Sequence, residues 1–324
     1  MKNYLERTAW MHERKWGVML DQLYGRINNP KHPASLGKCT SWDEALMDFD
    51  CEAFSDRLAQ LGAGWCILTI QQRTRYMIAP NETFSSLSGF APGEACARFD
   101  FIEKMSEALA AKDIALLLYL TGDGIYEEAP AGNAFVARPN GEGLTSRAFV
   151  ERWASVAREY SLRYGTKIAG WWHDGMWICA PEDYGVYAEA FRAGNPDAVV
   201  ATNGYGCTDE YGILLSDPRG GFPYDDYSAG EIVHLGALPR LGPSAGNPGN
   251  SRWHITSFLG RSPEGTDEAS GWGRPGCRYK PGWLFDYVDE IHRRGGIVTF
   301  DIFTDREGKM DPDQIAALRA LKAL

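Results

Sequence analysis

The sequence predicts a single α/β domain folded as a (β/α)8 barrel of the TIM type. Two observations lead to this prediction: eight short apolar runs suit strands buried on both faces, and helical patterns lie between them. The length of 324 residues fits as well, because such a barrel takes about 250 residues plus insertions. No linker-like segment divides the chain, so we assign residues 1–324 to one domain.

Eight apolar segments predict the strands. In chain order they are Trp16–Gln22, Trp65–Gln72, Ala115–Asp123, Ile168–Asp174, Ala198–Asn203, Asp226–Glu231, Trp253–Leu259 and Gly296–Ile302. Continuous apolar runs of this length are typical of parallel strands that are covered on both faces. The sixth segment has little of the β-branched composition that strands usually show.

Five helices are predicted from start signals followed by apolar residues at three- and four-residue spacing. Asp50, Asp100 and Ser146 are polar residues at N-cap positions, and Pro281 and Pro312 stand in first turns. Both kinds of residue favour the beginning of a helix, since caps accept free backbone N–H groups and Pro has none to lose.

A doubly wound open sheet is the competing arrangement. It usually carries a Gly-rich phosphate-binding turn after its first strand. Here the first strand is followed by Asp21-Gln22-Leu23-Tyr24-Gly25, which cannot cradle a pyrophosphate. The barrel is therefore preferred. Two stretches rich in Gly, Pro and Asn, 130–145 and 239–251, predict long loops.

The composition narrows the class of partner. Hydrophobic residues make up 44% and charged residues 23%, the balance of a soluble globular protein. Lys and Arg number 33 against 43 Asp and Glu, and the net charge of −10 repels nucleic-acid phosphates. No window approaches 18 consecutive apolar residues. We expect no nucleic-acid or membrane partner, and the sequence leaves a homo-oligomer open.

The cysteines and the N-terminal segment bear on the compartment. The 7 Cys are scattered without a CxxC pair, which fits free thiols in a reducing cytosol. The first residues are polar and charged and lack the apolar stretch of a signal peptide. We therefore expect a cytoplasmic protein. No His pair or Cys cluster has metal-ligand spacing, so we expect no metal and no cofactor, although a site made of carboxylates stays open.

Active sites of TIM barrels lie at the carboxyl ends of the strands. Carboxylates and amides are frequent at those ends here, and pairs of carboxylates cleave glycosidic bonds. Aromatic residues are also frequent there, and aromatic faces pack against the C–H faces of sugar rings, although about half of these side chains are expected to fill core. The polar residues at the strand ends are Asp21, Gln22, Gln71, Gln72, Asp123, Asp174, Asn203, Glu231, His254, Ser257 and Asp301.

Asp174 is the strongest candidate for a catalytic residue among these. In a strand, alternation places Trp172 and Asp174 on one face and Trp171 and His173 on the other. Gly175 then lets the chain turn. An Asp at this point can instead cap the next helix. We expect His173 to lie between the barrel and the helices with a hydrogen-bond partner.

Glu231 is the candidate for the second carboxylate, because small residues precede it and leave room for a ligand. A solvated loop position is the alternative reading, and Asp225 and Asp226 are competing acids. Arg73 and Arg75 flank the end of the second strand and could bind a charged substrate through paired hydrogen bonds. Paired surface arginines are the other interpretation.

Four segments spread over nearly the whole chain resemble those of one enzyme family. They are Lys15–Leu20, Leu61–Thr69, Gly170–Gly175 and Arg294–Val298 with the closing helix that follows. The chain thereby resembles the catalytic barrel of glycoside hydrolase family 29, the retaining α-L-fucosidases. The resemblance implies Asp174 as nucleophile and a second carboxylate as general acid/base. Glu231 is our candidate for it, with the two carboxyl groups about 5–5.5 Å apart.

The chain departs from the family at three sugar-binding histidines, whose positions hold Asp21, Gln72 and Arg73. The resemblance therefore implies a retaining exo-glycosidase acting on a small sugar or oligosaccharide and leaves fucose open. It does not extend to the accessory β-sandwich of many members, so we expect none. The predicted substrate-binding residues are Asp21, Gln72, Arg73, Tyr76, Trp172, Asn203, His254 and Trp272.

Two other functions remain open at this point. One is a glycosidase for a different or acidic sugar, with Arg73 and Arg75 binding its carboxylate. The other is a non-catalytic carbohydrate-binding barrel that has lost its sugar-reading histidines.

Overall fold

The structure, a computed structural model, describes residues 2–125, 128–137, 143–204, 206–208, 214–216, 222, 224–233, 235, 251–262 and 271–324. In these residues the fold is α/β, with one parallel sheet of seven strands and a separate antiparallel pair. The strands are β1 (Trp16–Leu20), β2 (Trp65–Thr69), β3 (Ala115–Thr121), β4 (Ile168–Asp174), β5 (Val199–Thr202), β6 (Gly206–Thr208), β7 (Leu214–Ser216), β8 (His254–Phe258) and β9 (Ile297–Ile302).

Helices connect most of these strands. The α-helices are α1 (Tyr4–Arg7), α2 (Ala9–Arg14), α3 (Tyr24–Ile27), α4 (Trp42–Met47), α5 (Cys51–Leu61), α6 (Glu82–Ser88), α7 (Phe101–Ala110), α8 (Ala129–Ala134), α9 (Arg147–Tyr164), α10 (Tyr184–Phe191), α11 (Pro281–Arg293) and α12 (Pro312–Arg319). Short 3₁₀ turns cover Pro33–Ser35, Gly165–Lys167, Met176–Ile178, Pro181–Asp183 and Ala320–Ala323.

The sheet has the order β5-β4-β3-β2-β1-β9-β8. The first five strands are neighbours in chain order, and β9 returns to pair in parallel with β1, so that Trp16 lies opposite Val298 and Leu20 opposite Ile302. Sequential parallel strands that end beside the first strand are the arrangement of a TIM-like barrel. Seven of the eight predicted strands are thereby confirmed.

The sixth predicted strand, Asp226–Glu231, is wrong as a regular strand. The segment forms only isolated bridges, between Tyr227 and Arg252 and between Glu231 and Thr256. The segment still lies between β5 and β8. On the β5 side, the Asp226 N–H donates to the carbonyl of Val200 at 2.8 Å, and on the β8 side Glu231 forms its bridge with Thr256. The Asp226 carboxylate also accepts from the Val200 N–H at 3.1 Å, a position that a backbone carbonyl takes in a regular ladder.

All five predicted helices are confirmed. Asp50 accepts a hydrogen bond from the N–H of Ala53, and Asp100 and Ser146 cap α7 and α9 in the same way. Pro281 and Pro312 stand in the first turns of α11 and α12. The loop predicted over 130–145 is wrong in part, since α8 covers its first residues, and nearly all of the loop predicted over 239–251 lies outside the described residues.

The core has two parts. The larger one packs the outer face of the sheet against the helices, with Trp153 of α9 and Phe54 of α5 fully buried in it. The smaller one fills the inner side of the sheet and includes Trp65, Tyr119 and Trp172. Inward-facing aromatic side chains of β3 and β4 therefore reach the carboxyl ends of these strands from inside the sheet.

Two further sequence expectations concern thiols and membranes. Cys39, Cys51, Cys66, Cys96, Cys179 and Cys277, the six cysteines whose side chains are described, form no disulfide. Over the same part of the chain, no helix combines the length and apolarity needed to span a bilayer.

Gly230 makes the irregular segment possible, and its replacement tests this. Gly230 has φ +61°, and an added Cβ would lie 1.8 Å from the carbonyl oxygen of His254. We expect Gly230→Ala to lower the free energy of unfolding by about 2–4 kcal/mol, through left-handed strain and a backbone clash. Gly282→Ala is the control, since that exposed helical glycine has open space around it. Equal urea midpoints for the two variants would contradict this prediction.

Candidate functional site

A cavity of about 220 Å³ opens at the carboxyl ends of the strands. It is below the roughly 300–1,000 Å³ of pockets that take drug-sized ligands, and its size suits about one sugar ring. Its walls combine carboxylates, an amide, a guanidinium and aromatic rings. The lining residues are Met19, Asp21, Arg26, Gln72, Tyr119, Trp172, Asp174, Glu231 and Trp272.

Asp174 is the last residue of β4 and faces the cavity together with Trp172, as alternation predicts. Trp171 points the other way and stacks on Phe191 of α10 with 4.6 Å between ring centroids. The Asp174 carboxylate does not cap the 3₁₀ turn that follows, which has no side-chain cap. The helix-cap alternative is thus not what the structure shows.

Both carboxylate oxygens of Asp174 accept hydrogen bonds from buried side chains. The hydroxyl of Tyr119 donates to Oδ2 at 2.5 Å, and Nδ2 of Asn203 donates to Oδ1 at 2.8 Å. Nε2 of Gln72 donates to the Tyr119 hydroxyl at 3.1 Å. Because burial and nearby carboxylates raise the pKa of Tyr119 well above its usual value, its phenol stays a proton donor.

Asn203 joins the two candidate carboxyl groups. Its Nδ2 also donates to Oε2 of Glu231, at 2.6 Å. The two accepting oxygens therefore lie no more than about 5.4 Å apart, the sum of the two donor–acceptor distances, which is compatible with the roughly 5–5.5 Å of retaining glycosidases. Asn203 follows β5, Asp174 ends β4, and Glu231 stands in the irregular segment beside them.

Burial and mutual repulsion disfavour charge on both acids at once. Burial and the charge of Asp174 raise the pKa of Glu231 to about 7. Burial also raises the pKa of Asp174, against the donors Tyr119 and Asn203 and the positive charge of Arg73. Since Asp174 has more stabilising donors, it is the group that ionises first, and its charge then opposes the ionisation of Glu231.

A second polar wall is built on β1 and the loop before α11. Asp21 accepts from the Thr69 hydroxyl at 2.5 Å and from the Arg26 guanidinium at 2.6 Å. Asp301 of β9 accepts the N–H of Gly273 at 2.7 Å. This bond holds Trp272 at the cavity, where its ring packs on Phe258 of β8 with 5.1 Å between centroids. Burial and the Asp21 charge raise the pKa of Asp301 well above its usual value.

Six of the ten predicted site residues line the cavity, and four do not. Asn203 and Arg73 lie next to it: Arg73 Nε is 3.2 Å from Oδ2 of Asp123, and its charge acts on Asp174. Tyr76 does not line the cavity. It stacks on Tyr24 with ring centroids 3.6 Å apart. The six that line the cavity are Asp21, Gln72, Trp172, Asp174, Glu231 and Trp272.

His254, which the sequence predicts to bind substrate, does not line the cavity. His254 is the first residue of β8, fully buried, at the amino end of the strand rather than at the carboxyl end. Its Nδ1 donates to the carbonyl of Ser228 and its Nε2 accepts from the hydroxyl of Thr299, both at 2.8 Å. Both ring nitrogens are thus engaged within the protein.

His173 lies between the sheet and α10, as expected, with its ring 4.3 Å from that of Tyr187. Its buried Nε2 bonds to no described group. Burial lowers the pKa of His173 to about 3, so its ring stays neutral.

The competing acids are engaged elsewhere. Asp225 accepts from the hydroxyl and the N–H of Thr202 and from the N–H of Phe222. Asp226 pairs with Arg192 at 2.7 Å. Neither lines the cavity, whereas Glu231 does.

Sequence reasoning missed Arg26, Tyr119 and Met19 as cavity residues. Tyr119 lies inside an apolar strand, and only the parallel register, which sets it opposite Trp172, shows that both face inward. Arg26 lies in α3, the short helix that follows β1, and a basic residue just after a strand is a signal that could have been used. In the described residues, no three His, Cys, Asp or Glu side chains are grouped to hold a metal ion.

No protein-family model and no curated protein matches the chain, but solved structures do. The endo-fucoidan hydrolase MfFcnA4 of glycoside hydrolase family 107 superposes with a TM-score of 0.70 at 15% identity, over 98% of this chain and 53% of that one. The family 107 endo-fucoidan hydrolase P5AFcnA gives 0.66 at 15% identity, over 98% and 92%. A family 29 α-L-fucosidase from Bacteroides thetaiotaomicron gives 0.62 at 14% identity, over 97% and 72%.

The chain has the fold of these glycoside hydrolases. It spans about half the length of MfFcnA4. Both families share this fold with the chain, so the predicted resemblance to family 29 is confirmed for the fold and not for that family in particular.

The repulsion between the two acids can be tested without a substrate. We expect Asp174→Asn to lower the pKa of Glu231 by roughly 1–2 units, because it removes the nearby charge while burial remains. The measurement is a ¹³C NMR titration of the Glu231 carboxyl carbon. Asp197→Asn, which changes an exposed residue paired with Lys2, is the control. An unchanged or higher pKa in Asp174→Asn would show that the two groups do not interact.

Proposed function

We propose that the chain is a retaining glycoside hydrolase in which Asp174 is the nucleophile and Glu231 the general acid/base. One observation carries the proposal: a single amide group bonds both carboxyl groups at the edge of one small cavity. The two bonds keep the accepting oxygens within about 5.4 Å of each other, which is compatible with the separation of about 5–5.5 Å in retaining enzymes.

The charges support this division of roles. Glu231, with its pKa at about 7, holds a proton that it can give to the glycosidic oxygen as the bond to the anomeric carbon breaks. Asp174 attacks that carbon and forms the glycosyl-enzyme. Glu231, now ionised, takes a proton from water, which attacks the same carbon and releases the sugar and the Asp174 carboxylate.

The cavity walls suit a neutral sugar. Trp172 and Trp272 offer aromatic surfaces to C–H groups, and Asp21, Arg26 and Gln72 offer acceptors and donors to hydroxyls. The neighbours in fold are named for fucoidan and α-L-fucosides, so we propose a fucose-containing substrate as the first to test. The missing sugar-binding histidines make other sugars the second choice.

The alternative of an acidic sugar has less support. It relies on Arg73 and Arg75, neither of which lines the cavity, and they pair with Asp123 and Glu128. A non-catalytic sugar-binding barrel is the remaining alternative. Calorimetry would then detect sugar binding while no aryl glycoside of a broad panel is hydrolysed.

Two substitutions test the assigned roles. Asp174→Ala should lower the turnover of every substrate by at least about 10⁴-fold, because no other group can form the covalent intermediate. Glu231→Ala should spare aryl glycosides with good leaving groups and slow those with poor ones, and azide should restore its second step. The measurement is kcat/KM across aryl fucosides whose leaving groups differ in pKa.

A surface substitution is the control for both variants. Asp197→Asn should behave as the unchanged protein, since it lies at the surface. Near-normal activity of Asp174→Ala would overturn the nucleophile assignment. If Glu231→Ala slows good and poor leaving groups equally, the acid is another residue.

A further inference from the structure

The Asn203 backbone is fixed beside the nucleophile. Its N–H donates to the carbonyl of His173 at 2.7 Å, and its carbonyl accepts from the N–H of Met176 at 3.0 Å. These two residues flank the Asp174–Gly175 pair in sequence. Only 3% of Asn203 is exposed. Its side chain therefore has a defined direction with respect to Asp174.

The amide nitrogen of Asn203 has two hydrogens, and two carboxylate oxygens take them. One acceptor is Oδ1 of Asp174 at 2.8 Å and the other is Oε2 of Glu231 at 2.6 Å. Asp174 is the acid that ionises first, and its oxygens then only accept, so the nitrogen rather than the oxygen of the amide must face them. A sugar-reading role through the amide nitrogen of Asn203 would compete with both of these bonds.

We propose that Asn203 is a positioning residue that directs the proton of Glu231 to Oε1 and holds Glu231 and Asp174 at their working separation. The inference rests on the proposed function. When Glu231 is protonated, the oxygen that accepts the Asn203 hydrogen bond is the carbonyl oxygen, and the hydroxyl is on the other oxygen. One amide thus selects which oxygen of the acid serves as proton donor.

The charges around the pair determine what removal of Asn203 does. Asp174 also faces Tyr119 and Asp123 at the end of β3 and the Arg73 guanidinium after β2, and Glu231 faces Asp174. The two hydrogen bonds from Asn203 favour the ionised form of each acid and lower both pKa values, while burial raises them. Without Asn203, both pKa values rise.

The pH dependence of activity therefore separates three roles for Asn203. Activity needs Asp174 ionised and Glu231 protonated, so it is lost below the pKa of Asp174 and above that of Glu231. A positioning role shifts both limits to higher pH. A sugar-reading role raises KM and leaves both limits of kcat/KM in place. A purely structural role lowers stability and leaves both limits in place.

The experiment compares Asn203→Ala and Asn203→Asp with the unchanged protein on an aryl glycoside that it hydrolyses. We expect Asn203→Ala to shift both limits of the kcat/KM profile up by about one pH unit and to lower kcat roughly 10–100-fold, with KM changed less than about threefold. Asn203→Asp keeps the shape of the side chain but adds a third carboxyl group. It should shift both limits further, and it keeps the test available if Asn203→Ala does not fold.

A titration separates failure of this inference from failure of the proposed function. The ¹³C NMR pKa of Glu231 should rise in folded Asn203→Ala or Asn203→Asp even if no glycoside is hydrolysed by any form of the protein. An unchanged Glu231 pKa in both folded variants overturns the inference. So does a profile whose limits stay in place while KM rises, which would assign Asn203 to sugar reading. Loss of activity in Asp174→Ala with an unmoved Asn203→Ala profile would leave the proposed function intact.

Discussion

Two carboxyl groups that share one small cavity cannot both be ionised at low energetic cost, and the site depends on this constraint. The protein places its donors unequally. Asp174 accepts hydrogen bonds from Tyr119 and Asn203, and these bonds and the positive charge of Arg73 lower its pKa. The charge of Asp174 in turn raises the pKa of Glu231. These contacts favour ionisation of Asp174 before Glu231, which is the order that the proposed retaining mechanism needs.

The fold provides this arrangement through an irregularity. Glu231 stands in the segment 226–231, which pairs with its neighbours through isolated bridges and not as a regular strand. Gly230 adopts a left-handed φ and lies against the backbone of His254, where a side chain has no room. Asp226 replaces ladder hydrogen bonds with carboxylate contacts to Val200 and Arg192. The segment thus gives up regular pairing and brings Glu231 to Asn203.

Much of the fold could be predicted from sequence because strands and caps are local signals. Asp50, Asp100 and Ser146 cap helices through hydrogen bonds three residues along the chain. The place of Asp174 could be predicted because it ends an apolar run in which side chains alternate between the two faces of the strand. The irregular segment could not, since its conformation depends on a single left-handed glycine and on contacts with distant residues.

Which of the predicted site residues line the cavity also depends on contacts between distant parts of the chain. His254 and Tyr76 are predicted to bind substrate because each is a polar or aromatic residue near the end of a predicted strand. In the structure His254 stands at the amino end of β8, and Tyr76 stacks on Tyr24. Tyr119 was missed because an inward-facing residue of an apolar strand resembles core until the register of β3 and β4 is known. Asn203 was predicted at the site, but its two acceptors come from distant parts of the chain.

In the proposed mechanism Asp174 forms a covalent bond to the sugar. The most direct measurement is mass spectrometry of the protein after incubation with activated 2-deoxy-2-fluoro-glycosides, beginning with 2-fluoro-fucosyl fluoride. The fluorine slows both steps, and the fluoride leaving group needs little protonation, so the intermediate accumulates. The account predicts one added fluoro-sugar on the peptide that contains Asp174, and none in Asp174→Ala. An adduct on a different carboxylate, or turnover of such a glycoside with inverted product and no adduct, would contradict it.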